Sequence, residues 1–110
     1  MHRLTQMTIN DFVRERDVAV IMFGAPEGEA TMEQALEFAE VWADHAGKAA
    51  FGYVDAFEHV TPARTYGIRV LPTTLVLSRG KAVAKLEGRH PALRIGAALS
   101  SAGASHLAAA

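Results

Sequence analysis

The stretch that most constrains the fold of this 110-residue chain is Leu71-Pro72-Thr73-Thr74-Leu75-Val76-Leu77. Proline lacks the N–H that a strand ladder needs, so it favours the start of a strand over its middle. The apolar run after Pro72 therefore predicts a strand over Thr73–Leu77. Arg79-Gly80 predicts a tight turn into a second strand over Lys81–Leu86, and the two strands together indicate a β-hairpin.

Two more strands and a long helix are predicted ahead of this hairpin. Val18–Phe23 is uninterrupted and apolar, which is typical of a central strand buried on both faces. Ala49–Val54 is a second strand candidate, and the segment between the two predicts a helix over about Thr31–His45. Helical spacing predicts an inner apolar stripe of Met32, Ala35, Leu36, Ala39, Trp42, Ala43 and Ala46.

Shorter helices complete the pattern. One is expected after an N-cap at Thr8, one over Thr61–Tyr66 before Gly67, and a last one from Pro91. The order of elements predicts an α/β fold in which helices cover one mixed sheet. We expect a single domain over residues 1–103 and a flexible C-terminal tail over residues 104–110.

Composition excludes several classes of function. A net charge of −1 offers no general attraction to nucleic acid, and no apolar run is long enough to span a membrane. The N-terminus lacks the pattern of a secretory signal, so we expect a cytoplasmic protein. The charge is unevenly distributed: six acids and no Lys or Arg lie between Ala25 and Gly47, whereas seven bases and one acid follow Val60.

Residue types also limit the chemistry. The chain has no cysteine, and its five histidines are scattered without metal-ligand spacing. No glycine-rich phosphate loop and no nucleophile elbow is present. We therefore expect no cofactor, no metal and no catalytic residues.

The stretch Tyr66-Gly67-Ile68-Arg69-Val70-Leu71-Pro72-Thr73 resembles the segment that leads into the cis-proline of the thioredoxin family. The strand Val18–Phe23, the turn at Gly80 and Gly88 also stand where a thioredoxin has them. The resemblance covers nearly the whole chain. It implies a three-layer thioredoxin-like fold, with a cis peptide bond before Pro72.

The chain departs from thioredoxins at their reactive site. Thioredoxins carry Asp-Phe-Trp-Ala at the end of the central strand, then a Cys-x-x-Cys pair at the start of the long helix. Here Met22 replaces the buried acid, Gly24 replaces the tryptophan, and cysteine is absent. Thiol–disulfide exchange needs a thiolate, so this chain cannot carry out the family's reaction.

The cysteine-free acidic loop and Gly88-Arg89-His90-Pro91 resemble a narrower group, the hydrogenase-expression proteins of the HyaE/HupG/HoxO type. That group shares the fold without the redox pair and has a Gly-x-His-Pro segment in the same place. The resemblance implies a non-catalytic chaperone in [NiFe]-hydrogenase maturation. Its partner would be the hydrogenase small subunit or the twin-arginine signal peptide of that subunit.

A receptor for a basic, partly apolar peptide should offer acids beside an apolar groove. In a thioredoxin-like layout, the loop Gly24–Ala30 and the segment before Pro72 lie side by side. Arg–carboxylate contacts and β-strand addition would then hold the peptide. The predicted binding residues are Ala25, Pro26, Glu27, Glu29, Glu33, Val70, Leu71 and Pro72.

Other interpretations stay open. The chain could be a redox-inactive adaptor that docks on another assembly, or an enzyme that uses the fold without cysteine.

Structural interpretations of individual residues are also open. Glu37, Glu40 and Asp44 are typical of a solvated helix face, and Glu29 and Glu33 suit the dipole of a helix N-terminus. Pro72 could serve structure as well as binding. Phe38 and Trp42 are predicted to be core residues, and self-association is left open.

Overall fold

The computed structural model describes the backbone of residues 1–109 and the side chains of residues 1–103. The strands are β1 His2–Leu4, β2 Val18–Gly24, β3 Ala50–Asp55, β4 Thr73–Ser78 and β5 Lys81–Glu87. The helices are α1 Ile9–Glu15, α2 Glu29–His45, α3 Val60–Thr65 and α4 Ala92–Ala109. The predicted flexible tail, 104–110, falls on residues outside the described side chains and, at residue 110, outside the described backbone, so it stays a prediction.

The five strands form one mixed sheet in the order β1-β3-β2-β4-β5. β1 and β2 both run parallel to β3, whereas β4 runs antiparallel to β2 and forms a hairpin with β5. This arrangement confirms the predicted α/β, thioredoxin-like architecture. The edge strand β1 was not predicted, because it has only three residues and buries only Leu4.

β2 lies at the centre of the sheet, and every one of its residues is buried. Its alternating side chains supply two apolar cores, one on each face of the sheet. One core joins Val20 and Met22 to residues of α2 and α4, and the other joins Ile21 and Phe23 to residues of α1. The helices therefore cover both faces, which gives three layers.

Three backbone features determine the path of the chain from the end of α3 to β5. The Leu71–Pro72 peptide bond is cis, as predicted. Arg79 and Gly80 have φ values of 52° and 80°, the left-handed pair that a two-residue hairpin turn requires. Gly67, at φ 64°, ends the α3 segment. These features place Pro72 directly before β4, opposite the end of β2.

The predicted inner stripe of α2 was wrong except at Ala35, which is half-buried and packs against the core. The helix buries Thr31, Gln34, Phe38 and Val41, whereas Met32, Leu36 and Trp42 are exposed. Phe38 is a core residue as predicted, and Trp42 is not. Helical spacing finds an apolar stripe but does not tell which stripe faces the sheet. On this helix a face with a buried glutamine packs inward, and the more continuous apolar face points outward.

At α1 the predicted start is right but the expected cap is absent. Thr8 occupies the N-cap position without a side-chain cap. Its Oγ1 instead accepts a hydrogen bond from the Thr5 N–H at 2.9 Å. The Thr8 side chain therefore stabilises the turn that precedes the helix.

Candidate functional site: the loop edge of the sheet

Three segments meet at the edge where β2 and β3 end and β4 begins. Gly24 pairs with Asp55, and Phe23 pairs with Thr73. The loop after β2, the loop after β3 and the segment Val70–Pro72 must therefore lie next to one another. We call this surface the loop edge.

The loop after β2 is a closed turn. The Gly28 N–H donates to the Ala25 carbonyl at 2.9 Å, which places Pro26 and Glu27 at the exposed tip. The Ala25 N–H donates to Thr31 Oγ1 at 3.0 Å, which ties the turn to the first turn of α2. Glu27 is thus presented on a hydrogen-bonded turn.

Gly24 allows the first turn of α2 to lie close to the end of β2. A Cβ at position 24 would lie 2.5 Å from Thr31 Cγ2 and 3.2 Å from Tyr53 Cε1. Those distances are below ordinary van der Waals contact, so the position has no room for a side chain. The glycine that replaces the thioredoxin tryptophan therefore lets α2 pack closely on the end of β2.

The segment before β4 presents free backbone groups. Thr73 Oγ1 donates to the Val70 carbonyl at 2.6 Å, and the Pro72 carbonyl accepts from the Gly88 N–H at 2.8 Å. The Val70 N–H and both backbone groups of Leu71 have no hydrogen-bond partner in the described part of the chain. Val70 is exposed and Leu71 half-buried. The segment is therefore held in place with backbone groups available to an added strand.

The three predicted acidic residues differ in their surroundings. Glu27 and Glu29 are exposed, and neither forms an ion pair with any described residue. Glu33 is half-buried and pairs with Arg89. A partner arginine could contact Glu27 and Glu29 directly, whereas it would have to compete with Arg89 for Glu33.

The segment Gly88–Pro91 is anchored to α2. The Gln34 side chain is fully buried; its Nε2 donates to the His90 carbonyl at 3.0 Å, and its Oε1 accepts from the His90 N–H at 2.6 Å. Glu37 Oε1 accepts from the Ala92 N–H at 2.9 Å, at the start of α4. Glu37 is therefore half-buried and structural, which corrects the expectation of a purely solvated face.

Two residues of the loop edge were missed from the sequence. Phe57 and Val60 follow β3 and are 72% and 46% exposed. Asp55 Oδ1 accepts from the Phe57 N–H at 3.0 Å and so holds the loop that carries them. Exposed apolar residues next to a buried strand could have signalled this surface, but a single phenylalanine in a loop gives no pattern.

Two tyrosines beside the edge have shifted acidities. Burial raises the pKa of Tyr53, with a further rise from the Asp55 carboxylate and an opposing effect from Arg3. Burial alone raises the pKa of Tyr66, whose ring packs against Phe23 at 6.2 Å between centroids. Burial therefore disfavours ionisation of both phenols.

The Thioredoxin family model matches residues 1–101, and the chain belongs to that family. Among solved structures it is similar to a chloroplastic thioredoxin z, with 19% identity, a TM-score of 0.84 and coverage of 94% of this chain and 95% of that one. It is also similar to the Malassezia sympodialis thioredoxin Mala s 13, with 20% identity, a TM-score of 0.84 and coverage of 94% and 90%. No curated protein matches the chain.

Within this family the chain lacks the residues for redox chemistry. It has no cysteine, and Met22 leaves no acid at that point of the central strand. In the described part of the chain, no group of three or more His, Asp or Glu residues could hold a metal ion. No helix of that part is long and apolar enough to cross a membrane. The loop edge therefore has no thiol for the exchange reaction of thioredoxins.

Proposed function

We propose that this protein is a redox-inactive chaperone in [NiFe]-hydrogenase maturation, which binds the hydrogenase small subunit or its twin-arginine signal peptide. The observation that carries the proposal is that Glu27 and Glu29 form no ion pair within the described part of the chain and lie on the loop and helix start that adjoin the exposed backbone at Val70–Leu71. Carboxylates can take a guanidinium in a bidentate, charge-assisted contact. Free backbone groups beside them can add an extended peptide as a further strand.

Apolar side chains at the same edge suit the rest of such a peptide. Pro26, Phe57, Val60 and Val70 are exposed, and Leu71 is half-buried. A twin-arginine segment is basic and then apolar, so its two parts would meet the acids and these side chains in turn. The Gly88-Arg89-His90-Pro91 resemblance adds the hydrogenase context, and the anchoring of that segment to α2 gives it a structural role.

The test is calorimetric titration of the Glu27→Gln/Glu29→Gln variant with a twin-arginine signal peptide. We expect binding to weaken about five- to thirtyfold, since each of the two partly exposed charge pairs contributes on the order of 0.5–1 kcal/mol. Glu15→Gln is the matched control, because Glu15 is an exposed acid at the end of α1, outside the loop edge. Equal affinity of the double variant and the wild type would contradict the electrostatic part of the proposal.

The second candidate is a redox-inactive adaptor that uses the same edge for another protein. It is favoured by the fold and the missing cysteines, which require no particular partner. Co-purification separates the two candidates: the chaperone should capture the hydrogenase small-subunit precursor. An adaptor would leave that precursor unbound. The predicted cytoplasmic location belongs to the first proposal.

A further inference from the structure

The outward side of α2 carries a second apolar surface, distant from the backbone edge at Val70–Leu71. Met32 and Leu36 are 60% and 74% exposed, Trp42 is 39% exposed, and Ala39 and Ala43 are exposed between them. At about 100° per residue, these five side chains lie within about 120° of the helix circumference. We call Met32, Leu36, Ala39, Trp42 and Ala43 the outer apolar face.

Two concavities border this face along one side. One, of about 440 Å³, lies between α2 and the edge of the sheet and is lined by Met1, Met22, Met32 and Tyr53 among others. The other, of about 570 Å³, begins at Trp42 and is lined also by charged residues of the first third of the chain, Arg3, Asp11, Glu15 and Arg16, so the apolar surface extends into the first concavity. Methionine side chains adapt to irregular apolar partners. The surface is therefore larger than one row of helix residues.

A row of acids borders the opposite side of the face. Glu29, Glu33, Glu40 and Asp44 follow one another along α2, about 60° to 120° around from Met32. Glu40 and Asp44 are exposed and form no ion pair with any described residue. An apolar stripe with acids along one border is complementary to an apolar stripe with bases along one border.

We propose that the outer apolar face is a docking site for an amphipathic helix of a partner protein, with Lys or Arg residues along the edge that meets the acidic row. From Met32 to Ala43 the face spans about 16 Å, which matches about three turns of a partner helix. A second copy of the chain fits less well, because it would bring its own acidic row to the interface. This proposal does not depend on the proposed function of the loop edge.

The test uses Trp42, the only tryptophan of the protein. The probe is a tryptophan-free amphipathic peptide of about 14 residues, with leucines on one face and lysines along one border of that face. Its binding should shift the Trp42 emission to shorter wavelength and should weaken as salt is raised. The same peptide with glutamate in place of lysine should not bind.

Variants locate the binding on α2. Leu36→Ser should weaken the probe about tenfold, as expected when a central apolar side chain is removed from an interface. Glu40→Gln/Asp44→Gln should weaken it about two- to fivefold at low salt only. The matched controls are Val83→Ser, a 50% exposed valine on the edge strand β5, and Glu27→Gln at the loop edge; neither should change the affinity.

Three outcomes would overturn this assignment. They are no binding of the lysine probe, equal binding of the glutamate probe, or equal loss of affinity in Leu36→Ser and Val83→Ser. A dimer in sedimentation that Leu36→Ser abolishes would also overturn it, because the face would then belong to a second copy. Signal-peptide binding measured on Leu36→Ser reports on the loop edge alone, so failure of one proposal is distinguishable from failure of the other.

Discussion

Gln34 holds the backbone of His90 with both ends of its side-chain amide, across 56 residues of sequence. The glutamine is fully buried in α2, and His90 lies just before α4. The His90 ring adds a contact of 2.9 Å between its Nε2 and the Glu87 carbonyl. This pair joins the two helices on one face of the sheet and fixes the entry into α4.

Gln34→Leu is expected to lower the free energy of unfolding by about 2–4 kcal/mol. The substitution keeps the volume but leaves the His90 N–H and carbonyl without partners, and each unsatisfied buried group costs about 1–3 kcal/mol. Urea denaturation of the wild type and the variant measures the difference. Gln6→Leu, at an exposed position before α1, is the control; equal effects at both sites would show that the amide pair does not stabilise the fold.

Gly24→Ala is expected to destabilise the protein by about 1–3 kcal/mol, because the new methyl group would overlap Thr31. Relief of that overlap would move the start of α2 and with it the turn that carries Glu27. Gly47→Ala is the matched control, since a Cβ there meets nothing within 4 Å. Thermal unfolding of both variants checks the prediction. If Gly24→Ala unfolded at the wild-type temperature, α2 would be able to shift without loss of stability.

Two adjacent threonines should respond oppositely to valine. Thr74 Oγ1 is buried and has no hydrogen-bond partner among the described residues, so Thr74→Val should be neutral or stabilising by up to about 1 kcal/mol. Thr73 Oγ1 donates to the Val70 carbonyl, so Thr73→Val should cost about 1 kcal/mol. Denaturation midpoints compare the two, and a larger loss at Thr74 would mean that its hydroxyl has a partner.

Stability should fall at alkaline pH because of Tyr53 and Tyr66. Folding raises both pKa values above the ordinary value of 10.0, chiefly through burial. The stabilising contribution is therefore complete below that value and is lost as the pH rises through the folded-state pKa. Denaturation across this range should show a smaller decline for Tyr53→Phe and Tyr66→Phe. If stability declined as much in both variants as in the wild type, the two tyrosines would not be its cause.

The sequence predicts the sheet well because its strands carry strong local signals. The apolar run of β2, the Arg79-Gly80 turn and the proline before β4 each have one structural interpretation. The packing of α2 could not be predicted, because two of its faces are plausible and only its contacts with the sheet and α4 distinguish them. The partners of Glu33 and Gln34 lie more than 50 residues away, and no local pattern indicates them.

The position of the loop edge could be predicted from the sequence, but the ion pairs of its acids could not, because they depend on distant residues. The resemblance predicts that Pro26, Glu27 and Leu71 lie near one another, and the strand register brings the end of β2 and the start of β4 together at Phe23 and Thr73. Which of the acids are unpaired depends on where Arg89 lies. That position follows from the anchoring of His90 on Gln34.

The most direct test of the central claim is titration of the purified protein with a twin-arginine signal peptide and with the same peptide carrying Lys-Lys, at low and moderate salt. The account predicts tighter binding of the arginine peptide, because planar guanidinium groups can bind carboxylates in a bidentate way. It also predicts that binding weakens as salt is raised. Absence of binding to either peptide, or equal and salt-independent binding of both, would contradict it.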